Sequence, residues 1–380
     1  MSATPRCAVG IARCIGYESQ RVEEAVSLAV ERAGGMVSGD WQDVLLKTNL
    51  LAPRRPEDAV TTHPEVLRGV ACTLRRQNQD VSLHIADNPG YVHVSGFQRL
   101  FDITGVAAMA AEEEITVGPL SDKGYSEAEG AFKVLHSPRV ALRYRDASFC
   151  VNVAKMKTHV ETEITGCIKN IFGIADTQTR KKAHQSPSKR HLADAIVDLF
   201  EVRRPEFHVL DAIVAMEGNG PSHGTPRSVG WVLAGNNALA IDIAAAVIMG
   251  YRNPMDIPLL KAAADRLGGP FSMSEIDLVG AQWDELPIAG FKKSSGGLRL
   301  LPTFLRGLAH GLVSLKPELD ASKCIRCNIC RDVCPVNAIT MHPLPEINLK
   351  ACVACLCCHE MCPTGAMGVR ENWLARMLSK

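Results

Sequence analysis

The 380-residue sequence lacks the features of several protein classes. Aromatic residues make up 5% of it and the formal net charge is +1, so the composition favours neither nucleic acid nor a charged membrane as a partner. No apolar run approaches the roughly 18 residues of a membrane-spanning helix. The N-terminus also lacks the pattern of a secretion signal. We therefore expect a cytoplasmic protein without a transmembrane segment.

Two common nucleotide-binding motifs are also missing. The sequence contains no P-loop of the form G-x-x-x-x-G-K-[ST], and no G-x-G-x-x-G follows an apolar strand. The nearest glycine-rich stretch, GNGPSHGTP at 218–226, has the wrong spacing for either motif. Nucleotide binding in these two forms is not supported.

Cysteine, in contrast, is abundant. The chain has 14 cysteines, and nine of them fall between 324 and 362. Disulfide scaffolds belong to short secreted chains, whereas this chain is long and has no secretion signal. Clustered cysteines in a reducing compartment indicate metal ligands.

The clustered cysteines form a duplicated motif. CIRCNICRDVCP begins at 324 and CVACLCCHEMCP at 352, and both read C-x2-C-x2-C-x3-C-P. This run holds [4Fe–4S] clusters in bacterial two-cluster ferredoxins, where the fourth cysteine of each run serves the other cluster. Three thiolates at i, i+3 and i+6 on a tight loop can face three corners of one cluster, whereas zinc needs only four ligands, usually as separated pairs. The motif predicts one cluster on Cys324, Cys327, Cys330 and Cys362, and a second on Cys352, Cys355, Cys358 and Cys334.

Cys357 is the additional sulfur of the second run. Its counterpart in the first run is Ile329, and only Cys358 has the ligand spacing. We interpret Cys357 as a small apolar thiol packed near a cluster, with a redox or assembly role as the alternative.

The upstream sequence predicts an α/β fold. Short apolar runs such as DVLLK and SFCVNVA alternate with amphipathic helical patterns, which is typical of a mostly parallel sheet with flanking helices. We predict this α/β domain over 1–290 and a linker with a docking helix over 291–318. A small α+β two-cluster ferredoxin-like domain follows over 319–372.

Polar residues stand where two predicted strands end. Lys47 and Asn49 close the run DVLL. Lys155, Lys157 and His159 follow another strand at a period of two, so they share a face if the chain stays extended. Two lysines and a histidine at a strand end could bind an anionic substrate or supply protons, and the alternative is an ordinary solvated loop.

Three further predictions concern the segments that follow. A helix is expected over 161–173, with Lys169 and Asn170 off its apolar stripe. The basic run 179–191 is interpreted as an exposed loop, with an acidic partner or a lid over the site as alternatives. Asp242 lies in an apolar helix, where a carboxylate must be paired, as an anchoring acceptor or as a site residue.

The motifs LLKTNL, TTHPEVLRGV, DNPG, NVAKMKTHVETEITGCIKNIFG and LDAIVAMEGNGP together resemble the family of domain of unknown function 362. The resemblance covers about 40–250, and many members carry a C-terminal two-cluster ferredoxin module. One departure is Thr48, where many members have proline. The resemblance implies a set of candidate site residues: Lys47, Asn49, Lys155, Lys157, His159, Lys169, Asn170 and Asp242.

The predicted function is that of an iron–sulfur oxidoreductase, with a reductase favoured. Two [4Fe–4S] clusters would pass low-potential electrons from an external donor, such as a ferredoxin or flavodoxin, to a small and possibly anionic substrate in the α/β domain. The alternatives are an electron carrier or assembly partner without its own substrate, and a redox-sensing binding protein. An enclosed pocket lined by Lys47, Lys155 and His159 would favour the enzyme.

Overall fold

The computed structural model describes residues 7–36, 41–90, 96–186, 188–294 and 315–371. The docking helix predicted within the linker lies outside the described residues. Within these ranges no helix is long and apolar enough to cross a membrane.

The α/β domain contains the strands β1 (Cys7–Arg13), β2 (Asp43–Lys47), β3 (Ser82–Asp87), β4 (Thr116–Pro119), β5 (Tyr125–Glu127), β6 (Arg139–Ala141), β7 (Phe149–His159), β8 (Glu163–Thr165), β9 (Phe207–Glu217), β10 (Thr225–Gly235) and β11 (Ile276–Val279). All except β5 and β6 belong to one sheet with the order β11-β1-β10-β9-β7-β2-β3-β4, in which β8 pairs with β7. In that order only β10 runs against its neighbours, so the predicted mostly parallel sheet is confirmed.

The helices of this domain are α1 (Ser19–Arg32), α2 (Pro64–Gln77), α3 (Phe97–Ile103), α4 (Val106–Glu112), α5 (Leu142–Arg145), α6 (Cys167–Asn170), α7 (Thr177–Ala183), α8 (Lys189–Val202), α9 (Ala238–Ile248) and α10 (Pro258–Leu267). Helices α1 to α4 cover one face of the sheet, and α5, α6, α8, α9 and α10 cover the other. Successive residues of a strand pack into the hydrophobic cores on opposite faces of the sheet. Val44 and Leu46 pack with the first group of helices, and Leu45 packs with the second. Burial on both faces explains the continuous apolar runs of the sequence.

Helix boundaries follow local signals. Proline occupies the first turn of α2 and of α10, where a missing N–H is tolerated, and Gly268 ends α10 with a left-handed backbone. The His63 side chain accepts a hydrogen bond from the Glu65 N–H and caps α2.

The C-terminal module, residues 315–371, is small. Its strands are β12 (Leu315–Leu319), β13 (Ile339–Met341), β14 (Pro345–Ile347) and β15 (Met367–Glu371), and its helices are α11 (Ile329–Asp332) and α12 (Cys357–Glu360). β12 pairs antiparallel with β15, and β13 pairs antiparallel with β14. Four cysteines, Cys330, Cys334, Cys358 and Cys362, belong to its core, beside only a few aliphatic side chains.

Candidate functional site

The order in which the chain adds strands to the sheet reverses at the pair β2 and β7. From β2 it proceeds to β3 and β4 on one side, and from β7 to β9 on the other, while β2 and β7 pair in parallel. Open α/β sheets bind ligands outside the carboxyl ends of their strands at such a point. Lys47, Asn49 and Lys157 all lie at this edge.

Two of the four predicted lysines are engaged in buried ion pairs. Lys47 Nζ lies 2.7 Å from Asp87 Oδ1, and Lys155 Nζ lies 2.8 Å from Asp211 Oδ2. Lys155 also donates to the Tyr17 hydroxyl at 2.8 Å. Burial lowers the pKa of both lysines, and their aspartates oppose the shift. Their positive charges are thus neutralised within the fold.

Lys157 differs from both. Its Nζ donates to Asn49 Oδ1 at 3.0 Å and to the Val60 carbonyl at 2.7 Å, and it takes part in no ion pair with the described residues. Burial, followed by the nearby charge of Lys169, lowers the pKa of Lys157 to about 7, and Glu360 opposes the shift. A lysine of this pKa can both bind an anion and donate a proton near neutrality.

An asparagine network fixes Lys157 in place. Asn49 Nδ2 donates to Asn170 Oδ1 at 2.9 Å, and Asn170 Nδ2 donates to Asn152 Oδ1 at 2.7 Å. Because the amides satisfy one another, the carbonyl oxygen of Asn49 is held toward the ammonium group.

Beside this network lies a cavity of about 120 Å³ between the two domains, here called the interdomain cavity. Its floor comes from the carboxyl edge of the sheet and α6, one wall from α7, and its roof from the C-terminal module. The floor contains Asn49, Lys157, Thr165, Lys169 and Asn170, the α7 wall contains Arg180, Lys181 and His184, and the roof contains Val333, Pro335, Cys357, Glu360 and Met361.

The floor and roof differ in polarity. The floor presents two lysines and the Thr165 hydroxyl, a buried group without a hydrogen-bond partner among the described residues. The roof is mainly apolar and contributes one carboxylate, Glu360. Burial disfavours the charged form of Glu360, but the Nε2–H of His159 and the nearby charge of Lys169 lower the pKa of Glu360 overall. The cavity can hold a small molecule with an anionic end toward the lysines.

The prediction of an exposed loop over 179–191 is wrong for both ends of the segment, because 179–183 belong to α7 and 189–191 begin α8. The Asp176 side chain accepts from the Thr179 N–H and caps α7, which runs over Thr177–Ala183 and lines the cavity. Arg180 donates to the carbonyl groups of Asn88, Pro89, Gly173 and Ala175. This arginine therefore holds the cavity walls together and has little capacity left for a ligand.

The predicted helix over 161–173 is only partly present. The chain stays extended through β8, so Thr165 pairs with Lys157, and the helix α6 begins at Cys167. Asp242 accepts hydrogen bonds from the N–H groups of Cys167 at 2.6 Å and Ile168 at 3.0 Å. Burial raises the pKa of Asp242 to about 7, and these hydrogen bonds oppose the shift. Asp242 thus anchors the start of α6.

His159 lies behind the cavity. A register shift in the pairing with β9 separates Lys155 from Lys157, so the three β7 side chains do not converge. His159 Nδ1 accepts from the N–H groups of Glu161 at 3.1 Å and Thr162 at 3.3 Å. Nε2, which carries the proton of the neutral ring, lies 3.6 Å from Glu360 Oε2. Burial lowers the pKa of His159 to about 4.

His159, Glu161 and Glu360 place ligand atoms within 4.8 Å of one another, which is a geometry that could hold a metal ion. The hydrogen bonds of His159 do not fit that use. A metal-binding histidine usually donates the proton of its other ring nitrogen, whereas here Nδ1 already accepts from the backbone. The ring is therefore arranged as an Nε2–H donor facing Glu360.

The cysteines of the C-terminal module form two groups around two small cavities. One cavity is lined by the first cysteine set, Cys324, Cys327, Cys330 and Cys362, and the other by the second cysteine set, Cys334, Cys352, Cys355 and Cys358. Each set takes its fourth cysteine from the other run, as the motif predicts.

The two loops also share backbone geometry. Arg326 and Asn328 have positive φ angles of 58° and 63°, and their counterparts 28 residues later, Ala354 and Leu356, have 55° and 54°. In both loops a short helix follows, α11 or α12. The duplicated sequence therefore folds as a duplicated loop.

These residues fit an iron–sulfur group. Neither cavity is lined by Asp, Glu or His among the described residues, and the N–H groups of Ala338 and Ala354 donate to the sulfurs of Cys334 and Cys352. Burial raises the pKa of the Cys358 thiol, so its thiolate needs a bound cation. A hydrogen bond from Cys357 lowers the pKa of Cys355. Sulfur-only sites of this kind suit iron–sulfur clusters.

The structure thus separates the predicted α/β site residues into two groups. Asn49, Lys157, Lys169 and Asn170 line the interdomain cavity. Lys47, Lys155, His159 and Asp242 are buried behind it and bind other groups of the protein. Sequence reasoning missed Thr165, Glu360 and Met361, because their roles depend on contacts between distant segments.

The thylakoid-associated protein sll1697 of Synechocystis sp. (strain ATCC 27184 / PCC 6803 / Kazusa) is 29% identical over 266 residues, which span 68% of this chain and 79% of the relative.

Two solved structures are similar over part of the chain. They are the lactate racemase apoprotein from Thermoanaerobacterium thermosaccharolyticum, with a TM-score of 0.39, and a protein from Thermotoga maritima, with a TM-score of 0.37. Each is 15% identical, and the similarity covers 60% and 56% of this chain. The chain spans about half of each of these structures, 54% in both cases.

Two family models match. The 4Fe-4S binding domain matches residues 317–340, which supports an iron–sulfur cluster in the C-terminal module. The domain of unknown function DUF362 matches residues 44–247, more than half of the 380 residues. The chain therefore belongs to the DUF362 family.

Proposed function

We propose that the protein is an iron–sulfur reductase that transfers electrons to a small anionic substrate in the interdomain cavity. The observation that carries this proposal is the position of the cavity. It lies between a lysine pair, Lys157 and Lys169, and a roof formed by the cysteine-rich module. The sequence led us to expect a pocket lined by Lys47, Lys155 and His159, whereas Lys157 and Lys169 line this cavity.

Both cysteine sets hold a cluster in this proposal. Each set brings four sulfurs to a separate cavity, which matches the ligand number of a [4Fe–4S] cluster, and Cys357 lines the second cavity as a fifth cysteine outside the set. Such clusters supply one electron at a time. Two one-electron centres suit a two-electron reduction, with electrons from an external low-potential donor such as a ferredoxin or flavodoxin.

The residues of the floor bind the substrate and supply a proton. The ammonium groups of Lys157 and Lys169 attract the anionic group, and the Thr165 hydroxyl is free to donate a hydrogen bond to it. The apolar roof excludes water, which strengthens these charge interactions. With a pKa of about 7, Lys157 can protonate the substrate as it is reduced.

A reoxidation assay tests the proposal. The full-length protein is purified anaerobically, reduced, freed of excess reductant and mixed with anion-exchange fractions of a small-molecule cell extract. We expect at least one fraction to reoxidise the wild-type clusters about tenfold faster than those of a Lys157→Met, Lys169→Met double variant. Stopped-flow absorbance of the clusters is the measurement.

Two controls separate the cavity from the clusters. Hexaammineruthenium(III), a cation that needs no anion site, should oxidise the wild type and the double variant at equal rates. Lys182→Met, on the exposed face of α7, should behave as the wild type. Equal rates for the wild type and the double variant with every fraction would refute the proposed function.

A further inference from the structure

The two cysteine sets are nearly equivalent in sequence, but they face different surroundings. In the first set Cys327 is exposed, and the neighbouring Ile325 is 61% exposed. In the second set none of the four cysteines is exposed. The first set therefore presents an edge to solvent that the second set lacks.

The second set instead adjoins the interdomain cavity. Cys357 and Pro335 line both this cavity and the cavity of the second cysteine set. The cavity of the first set shares no lining residue with the interdomain cavity in the described part of the chain. A partition one side chain thick thus separates the second set from a bound substrate.

We propose that the two sets have fixed and different roles: the first set accepts electrons from the external donor, and the second set passes them across the Cys357–Pro335 partition. This inference rests on the proposed function and adds the direction of electron flow. In each step the external donor loses one electron to the protein. Two such electrons and two protons convert the substrate to its reduced form.

The partition gives Cys357 a role that its sequence did not reveal. The first run has Ile329 at this position, so the loop geometry also accommodates isoleucine. In the second run an isoleucine would extend further into a cavity of only about 120 Å³. The smaller cysteine side chain leaves room for a ligand to approach the second set.

The test is a potentiometric titration of the holoprotein, followed by electron paramagnetic resonance, with and without sulfate. Sulfate is the probe because its charge does not change near neutral pH. An anion in the cavity disfavours the reduced, more negative state of the nearer cluster. We expect sulfate to lower the potential of the second set and to leave that of the first set unchanged. Cys327→Ser alters one cysteine of the first set only. The potential that changes in this variant is therefore assigned to the first set, and the other potential to the second set.

A reciprocal pair of variants supplies the matched control. Cys357→Ile should weaken sulfate binding at least tenfold by calorimetry and abolish the shift in potential. Ile329→Cys, the corresponding change in the first run, should leave the sulfate affinity and the shift in potential unchanged. Cys357→Ala, which removes volume, should retain the shift. The spin count per protein verifies that each variant holds its clusters.

The outcomes separate this inference from the proposed function. If the wild type binds sulfate but the potential of the first set shifts, or neither potential shifts, the assigned direction is wrong while the cavity remains an anion site. If the wild type binds no sulfate, and reoxidation also does not depend on Lys157 and Lys169, the proposed function itself fails.

Discussion

The α/β domain and the C-terminal module build opposite sides of one cavity by different means. On the α/β side, charged groups are held by partners within the same domain, as in the pairs Lys155–Asp211 and Lys47–Asp87. On the module side, the sulfurs within residues 315–371 contact one another, backbone N–H groups and the Thr364 hydroxyl, and no charged partner is seen there. One side is organised by the protein alone, whereas the other depends on a bound metal. The cavity thus joins a preformed binding surface to a roof that metal completes.

Removing iron should have the largest effect, and it should unfold the module while leaving the α/β domain folded. The core of the module includes Cys330, Cys334, Cys358 and Cys362 but few aliphatic side chains, so metal binding supplies much of its folding free energy. After anaerobic chelation we expect the amides of β12 and β15 to lose protection in hydrogen exchange, while those of β2 and β7 keep it. Equal loss of protection in all four strands would show that the α/β side also depends on the metal.

The second-largest effect is expected from Asp211→Ala. This change leaves the ammonium group of Lys155 buried without its carboxylate, which should cost about 3–5 kcal/mol of the free energy of unfolding. Denaturant unfolding of the α/β domain measures the cost. Asp265→Ala is the control, because the Asp265 pair with Lys261 is exposed and screened by solvent, so its loss should change the free energy of unfolding little. Similar losses from both changes would contradict the role of the buried pair.

Lys157→Met should have a smaller effect, on ligand binding rather than on folding. Lys157 is protonated below its pKa of about 7, so sulfate affinity should be highest at low pH and fall as the pH rises. Bound sulfate favours the protonated lysine and moves the midpoint of this fall above 7. In Lys157→Met we expect about tenfold weaker binding at pH 6.5, near 1.4 kcal/mol.

Calorimetry between pH 6 and 8.5 measures this dependence. The change of sulfate affinity with pH should be smaller in Lys157→Met than in the wild type, and in Lys182→Met it should equal that of the wild type. A slope that is unchanged in Lys157→Met would assign the titration to another group of the cavity.

The smallest effect is expected from Thr165→Val. The Thr165 hydroxyl is buried and has no hydrogen-bond partner, so its removal should not lower the free energy of unfolding. Sulfate affinity should fall a few-fold, corresponding to about 0.5–1 kcal/mol for one neutral hydrogen bond. Thr165→Ser, which keeps the hydroxyl, should restore the affinity; if it does not, Thr165 contributes shape and not a hydrogen bond.

The sequence predicted features that depend on local spacing. The two cysteine sets are encoded within short repeated runs, and the crossed sets follow from the motif. The parallel sheet follows from apolar runs of strand length. In each case the interacting residues are close in sequence or follow a simple period.

Features that depend on distant pairs were not predicted. Lys155 and Lys157 look equivalent in sequence, but Asp211 neutralises only Lys155. Glu360, whose carboxylate lines the cavity, lies about 200 residues after Lys157 in the sequence. It stands between two cysteines of the second run, and nothing in that local sequence indicates a contact with the α/β domain. The many charged residues of 179–191 indicated a solvent-exposed segment. In the structure, however, the Arg180 side chain donates its hydrogen bonds to backbone carbonyl groups.

The contact between Gly90 and Met361 has a consequence for assembly. A Cβ atom at Gly90 would lie 2.4 Å from Met361 Sδ, so the roof sits directly on the turn that follows β3. If the module needs iron to fold, as we expect, a chain that has not yet received its iron should lack this roof and have only half of a site. Because linkage is reciprocal, any ligand that needs the closed site also favours retention of the metal. Under the proposed function, a chain without its clusters would therefore not sequester a substrate that it is unable to reduce.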